Sequence, residues 1–251
     1  MGVLALPARS FRGRRGAGSP ATESRVRSTF PPHLEILPEP QLRLWLKLRP
    51  VADLGFALYG GTAIALRLGH RASVDFDFFT EHALDRSSLE KLLPLLSTAQ
   101  VLQETRDTLT VLALSDAPDQ RPVKLSFFGS ISFGRVGEPQ WTDDGIVQVA
   151  SLEDLLATKV KVLLQRVEAK DYLDVGALLE RGVSLARGLA AARSLFGPAF
   201  QPSECLKALV YFEGGDLNSL GENTRHLLIH AASAVGDLPS VPVVNKQLTV
   251  V

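Results

Sequence analysis

Apolar positions along the chain recur first at helical spacing, then in alternation, then at helical spacing again. Leu37–Arg49 mixes leucines, Trp45 and basic residues, which predicts a helix opened by Pro38 and Pro40 and stopped at Pro50. Phe56–Tyr59 predicts a short strand running into Gly60-Gly61, and Thr62–Leu68 a two-turn helix ended by Gly69, the residue expected at a left-handed cap. Val74–Phe79 alternates with a period of two, so Asp75 and Asp77 share one face. Ser87–Leu96 predicts an amphipathic helix with a Ser87/Glu90 capping box. Thr108–Leu114 and Val123–Phe128 predict a hairpin joined by the turn-rich stretch 115–122, and Gly145–Val149 a further short strand. From Ser151, which caps a helix with Asp154 three residues on, one continuous helical stretch carries to Gly182. Further helices follow, with turns at Gly197-Pro198 and Gly214-Gly215; beyond Gly236 no element is predicted. The order implies an α+β fold: a small mixed sheet with flanking helices and a helical C-terminal region.

Composition changes this picture only at the ends. With 251 residues, 45% hydrophobic and 22% charged, the chain has the make-up of an ordinary globular protein. Its one cysteine, Cys205, excludes an internal disulfide and a four-cysteine zinc cluster. No apolar run approaches the roughly 20 residues of a membrane span, so the expected setting is soluble and cytoplasmic, with no membrane partner. Residues 1–30 carry six arginines against one acid, Glu23, and read as a disordered Arg-rich arm. The remainder holds 21 basic and 26 acidic residues. A nucleic-acid partner would therefore have to meet a local basic patch rather than a basic surface. The expected organisation is the arm over 1–30, an α+β core over 31–150, and a helical region over 151–251 with a flexible tail from about 237.

Chemistry concentrates in Gly60-Gly61-Thr62 followed, thirteen residues on, by Asp75-Phe76-Asp77. Two glycines let the backbone approach a ligand with bare N–H groups, and the helix beginning there points its positive end at the same place, a seat for phosphate. Asp75 and Asp77 project side by side and offer hard oxygens to the Mg²⁺ of a nucleoside triphosphate. Taken singly, each piece is also what an ordinary turn or a solvated strand face looks like. Adjacent like charges on an apolar strand are unfavourable unless a cation offsets them. A hundred residues on, Lys159, Arg166, Lys170 and Asp174 fall in one stripe if the helix is continuous, because 7, 11 and 15 residues are near-whole turns. That stripe reads either as a basic wall beside the phosphates or as a solvated face with Lys170 paired to Asp174.

The run from Ala57 to Phe79 resembles the AbiEii/AbiGii nucleotidyltransferase toxins, within the DNA polymerase β-type nucleotidyltransferase superfamily, whose signature is Gly-Gly or Gly-Ser, a helix, then Asp-x-Asp. A second likeness is Lys159, Arg166, Lys170-Asp171 and Asp174, at the spacing of that family's helical motif. The resemblance covers about Leu37–Gly182. It implies transfer of a nucleoside monophosphate from an NTP, with Mg²⁺ or Mn²⁺, to an acceptor hydroxyl. RNA, tRNA in some relatives, is the implied acceptor and a cognate antitoxin the implied partner. Gly60, Gly61 and Thr62, with Arg71, Ser73 and Arg166, are then the phosphate-binding candidates. Asp75 and Asp77 are the metal ligands, and Lys159, Asp171 and Asp174 complete the catalytic set.

One position departs from the superfamily pattern. A third carboxylate is expected on the strand 123–128, where the same-face positions are Lys124 and Ser126. Asp171 or Asp174 then fills its role, or one metal suffices, or activity is reduced; the rival reading is a non-catalytic nucleotide-binding or interaction protein that keeps the fold. His70 lies within reach of the motif, whereas His82, His226 and His230 have no partner at metal-ligand spacing, and Cys205 reads as packed.

Overall fold

Alternation along the strands decides the architecture. The structure, a computed structural model, describes residues 27–114 and 121–250. Its eight strands are β1 (Thr29–Phe30), β2 (Ala57–Tyr59), β3 (Asp75–Phe79), β4 (Gln100–Thr105), β5 (Thr108–Leu114), β6 (Pro122–Phe128), β7 (Gln140–Thr142) and β8 (Gln148–Val149). They form one mixed sheet in the order β1-β7-β8-β2-β3-β6-β5-β4. β3 lies at the centre, antiparallel to β2 and parallel to β6. Phe76 and Phe78 on one face of β3 are fully buried with Leu125 and Phe127 of β6. Stacking of Phe78 on Phe127 at 5.5 Å and the tilted Trp45–Phe76 contact at 6.2 Å tie that face to α1 (Glu39–Trp45). The opposite face carries Asp75, Asp77 and Phe79.

Helices α3 (Gly60–Leu68), α5 (Leu152–Val162) and α6 (Ala169–Glu180) pack on one another over that polar face. Helices α7 (Leu185–Phe196), α8 (Pro202–Val210) and α9 (Glu222–Ser233) extend the layer. A single apolar cluster runs from Ile36 to Leu248, so the helical half shares the core of the sheet.

Several expectations are corrected. The helix over 37–49 is interrupted by a 3-10 turn at Leu46–Leu48, and Pro50 does not stop it but opens α2 (Arg49–Asp53), where its missing N–H costs nothing. The helix at 87–96 is α4 (Arg86–Leu92), capped by Asp85 and not Ser87; Pro94 ends it and starts a separate 3-10 turn. Three strands, β1, β4 and β7, were not expected. Gly145, at φ 71°, lies in the turn before β8 and not in the strand. The Ser151 cap on Asp154 and the left-handed Gly69, at φ 67°, match the sequence pattern.

Both ends differ as well. Thr29 and Phe30 belong to the sheet, pairing with Trp141 and Thr142, whereas residues 1–26 of the expected arm lie outside the described residues. The segment after Gly236, expected as a flexible tail, lies against the fold. Arg135 and Asn245 form a bridge, Leu248 N donates to Glu81 at 3.0 Å, and Gln148 exchanges two hydrogen bonds with Val250. Gly134, at φ 75°, has no room for a Cβ because the Asn245 carbonyl would lie 2.5 Å away. No helix among the described residues is long and apolar enough to cross a membrane.

Leu248 is fully buried at the end of this docked segment. Leu248→Ala is expected to destabilise the protein by about 2–5 kcal/mol in urea denaturation. A loss under about 0.5 kcal/mol would mean that the segment is only loosely attached.

Candidate active site

Gly60 follows β2 directly and adopts φ 74°, a left-handed conformation that turns the strand sharply into α3. A Cβ at Gly60 would lie 2.6 Å from Asp77 Oδ2, so only glycine leaves the start of α3 open against that carboxylate. No side chain caps α3, and its first N–H groups remain for an anion. Thr62 lines the cavity, with its hydroxyl turned to the backbone of β3. Its Oγ1 donates to the carbonyl of Asp75, so Ser73 Oγ, 2.7 Å away, must be the donor in the pair they form. Both hydroxyls are buried and pin α3 to the start of β3.

Sheet register sets the rest of the floor. Asp75 is paired with Lys124 and Asp77 with Ser126 across β3 and β6, and Ser126 with Thr110 across β6 and β5. Lys124 Nζ donates to Asp75 Oδ2 at 2.9 Å. Burial raises the Asp77 carboxyl above the ordinary aspartate value; Lys124 and the Ser126 hydroxyl act against the shift and Asp75 adds to it. These residues floor a cavity of about 480 Å³, walled by Gly60, Gly61, Arg71, Lys159, Arg166 and Lys170. That volume falls within the range of small-molecule sites. Tyr59, Phe79 and Phe128 form an aromatic end, with Tyr59 stacked on Phe79 at 4.9 Å.

The sequence motif on the helices resolves into an ion network rather than a stripe. The expected continuous helix breaks after Val162, and α6 restarts at Ala169. Asp216, from a distant loop, caps the restart by accepting from Ala169 N at 2.6 Å. The break lets Arg166 fold back and grip Asp171 through Nε at 2.8 Å and Nη2 at 3.0 Å. Lys159 Nζ bridges Asp171 Oδ1 and Asp174 Oδ2, each at 2.7 Å. Arg71 clasps Asp174 with Nε at 2.7 Å and Nη2 at 2.8 Å, and His70 Nε2 adds a third contact at 2.7 Å. Arg71 also lies against Gly61, where a Cβ would collide with its guanidinium. Lys170 pairs with Glu168 at 2.7 Å and not with Asp174 one turn on in α6, whose oxygens are taken by His70, Arg71 and Lys159.

Asp171 and Asp174 have no exposed side-chain surface and do not line the cavity. Burial pushes both carboxyls up, but their partners outweigh it: Arg166 and Lys159 hold Asp171 below the usual range, and His70, Arg71 and Lys159 hold Asp174 well below it. Cations so committed, and carboxylates so acidic, form a frame. Arg71 uses Nε and Nη2 on Asp174 and Nη1 on the Ala72 carbonyl, leaving little for a phosphate. Arg166 keeps 44% of its side chain exposed at the wall.

Asp75 and Asp77 suit a divalent cation: two hard oxygen donors lie beside a space that any side chain at Gly60 would fill. Among the described residues no group of three or more His, Cys, Asp or Glu gathers for a metal, so the other ligands would be substrate and water. His82, His226 and His230 are exposed, and burial pushes the Cys205 thiol up to about 12. Sequence reasoning missed Thr110, Phe79 and Phe128, which the parity of their strands would have placed beside Asp77; Gln103 had no signal because β4 was not expected.

Asp174→Asn should cost about 3 kcal/mol or more at pH 7, because it leaves buried cations uncompensated. The folded-state pKa is depressed, so the stabilisation is complete above the unfolded value of about 3.9, begins to decline below it, and is lost only as pH falls through the much lower folded value. The deficit of the variant in urea denaturation should therefore narrow below about pH 4. An equal deficit at pH 7 and pH 3 would contradict this account.

Comparisons agree with the geometry. The chain is 32% identical over 173 residues to an uncharacterised protein of Aquifex aeolicus (strain VF5), covering 66% of this chain and 80% of that protein. Similar folds occur in a candidate nucleotidyltransferase of H. pylori (TM-score 0.54, 18% identity, 77% of this chain and 91% of that one). MenT4, a nucleotidyltransferase toxin of Mycobacterium tuberculosis H37Rv, is a further neighbour (TM-score 0.52, 12% identity, 76% and 81%). Residues 46–202, which contain both glycines, both cavity aspartates and the whole ion network, match the family described as nucleotidyl transferase AbiEii toxin, type IV TA system. The chain belongs to the AbiEii nucleotidyltransferase toxin family, and its enzyme class is that of a nucleotidyltransferase.

Proposed function

We propose that this enzyme moves a nucleoside monophosphate from an NTP, in the presence of Mg²⁺ or Mn²⁺, to a hydroxyl of an RNA, with tRNA the first acceptor to test. The observation that carries the reading is the start of α3, opened by Gly60 and Gly61, directly over Asp77 in a cavity also walled by Lys159, Arg166 and Lys170. The acceptor oxygen attacks the α-phosphorus, forming the new O–P bond as the bond to the α,β-bridging oxygen breaks. Pyrophosphate leaves, and the hydroxyl proton passes to water. The N–H groups of α3 receive the triphosphate tail, and Arg166 and Lys159 balance the charge that builds on the leaving group. Asp75 and Asp77 would hold a divalent cation, which when bound would supply charge neutralisation at the phosphate oxygens. Asp171, Asp174, Arg71, Thr62 and Ser73 act as positioning residues, and the aromatic end at Phe79 and Phe128 offers a stacking surface for a base.

An RNA acceptor fits a local basic patch on an otherwise acidic body: Lys124, Lys159, Arg166 and Lys170 all line the cavity. Membership of the toxin family, with MenT4 among similar folds, supports a toxin paired with an antitoxin and acting in the cytoplasm.

Incubation with each α-labelled NTP, Mg²⁺ and total RNA should transfer label to RNA. Asp75→Asn and Asp77→Asn should each lower it by about 10²–10³ or more, while leaving the melting transition in place. Absence of label in RNA with all four nucleotides would exclude RNA as the acceptor, and full activity of either variant would exclude the assigned roles.

A further inference from the structure

The cavity floor carries a positive charge where the superfamily pattern calls for a negative one. β3 and β6 run parallel in register, so the two positions beside Asp75 and Asp77 are Lys124 and Ser126. On the far side of β6, Leu112 is paired with Lys124 and Thr110 with Ser126, so β5 supplies no carboxylate either. The carboxylates lining the cavity are Asp75 and Asp77 alone among the described residues. Lys124 holds Asp75 Oδ2 at 2.9 Å with both side chains about one-third exposed, so the pair sits at the cavity surface and not in the core.

We propose that Lys124 is a built-in cation that takes the place of a second metal ion, so that the enzyme works with one divalent cation per chain. This rests on the triphosphate reading above. Formal charge supports it. Three carboxylates with two divalent cations would leave the floor at plus one. Here two carboxylates and one ammonium, with a single divalent cation, leave the same plus one. A second divalent cation would raise it to plus three beside Lys159 and Arg166, with no further carboxylate to offset the repulsion. Lysine suits the substitution because its ammonium is a compact point charge on a flexible stem, closer to a small ion than a planar guanidinium is. Asp75 would then share its charge between Lys124 and the metal, and Asp77, in register beside Ser126, would be the principal metal ligand. Lys124 also keeps its charge whatever the metal concentration, so the second cation cannot be lost by dilution.

The number of Mn²⁺ ions bound per chain, counted by electron paramagnetic resonance with a non-hydrolysable α,β-methylene NTP present, tests this directly. The wild-type chain is expected to bind one, and Lys124→Arg, which keeps the charge, one as well. The double variant Lys124→Met, Ser126→Asp restores the third carboxylate and removes the ammonium; it should bind two. Two Mn²⁺ ions in the wild-type chain, or one in a folded double variant, overturn the proposal while leaving the triphosphate reading intact. A chain that binds no analogue at any Mn²⁺ concentration overturns that reading, and this inference with it.

Discussion

Two aspartates with no exposed surface, Asp171 and Asp174, impose the constraint on which the site depends. A carboxylate removed from water costs several kcal/mol unless cations and hydrogen bonds meet it. Four side chains from three parts of the chain do so here: His70 and Arg71 after α3, Lys159 on α5, and Arg166 from the break before α6. Each demands local structure of its own. Arg166 can reach Asp171 only because the helix stops after Val162, and Arg71 can clasp Asp174 only because Gly61 has no side chain in its path. The network is thus the reason that a helix break and a bare glycine are tolerated.

Its catalytic value lies in what it fixes. Charges that stabilise a developing anion are most effective when already in place, since moving them during reaction costs energy. Lys159 and Arg166 border the cavity but are anchored from behind by Asp171, so their positions are set before substrate arrives. The same partners occupy the oxygens of both aspartates: Lys159 and Arg166 those of Asp171, and Lys159, Arg71 and His70 those of Asp174. Among the described residues the carboxylates that line the cavity are Asp75 and Asp77, and the ion network lies one layer behind them.

Legibility in the sequence followed the range of the interactions. β3, α3 and the Gly69 cap were readable because alternation, helical spacing and a left-handed glycine are local signals. The two glycines and the Asp-x-Asp pair were readable for the same reason. The break after Val162 was not, since its cap comes from Asp216, 47 residues beyond Ala169, and no glycine or proline marks it. β4 was hidden because all six of its residues are exposed at the sheet edge and carry no alternation of burial. The C-terminal segment has no repeat of its own and owes its order to Arg135, Glu81 and Gln148. Asp171 and Asp174 were singled out as members of the motif, but their burial behind the cavity depends on the fold and had no local signal.

What keeps the chemistry on the open face is the aromatic packing on the closed one. A strand presents alternate residues to opposite sides, so sliding β3 by one position would bury Asp75 and Asp77 and expose Phe76 and Phe78. Phe76 and Phe78 are fully buried, stacked in series with Phe127 and flanked by Trp45. Exposing two such rings would forfeit roughly 2–3 kcal/mol each, before the cost of burying two carboxylates is added. The same register places Lys124 beside Asp75 and Ser126 beside Asp77. The apolar core therefore fixes not only that the sheet forms but which charges meet across it.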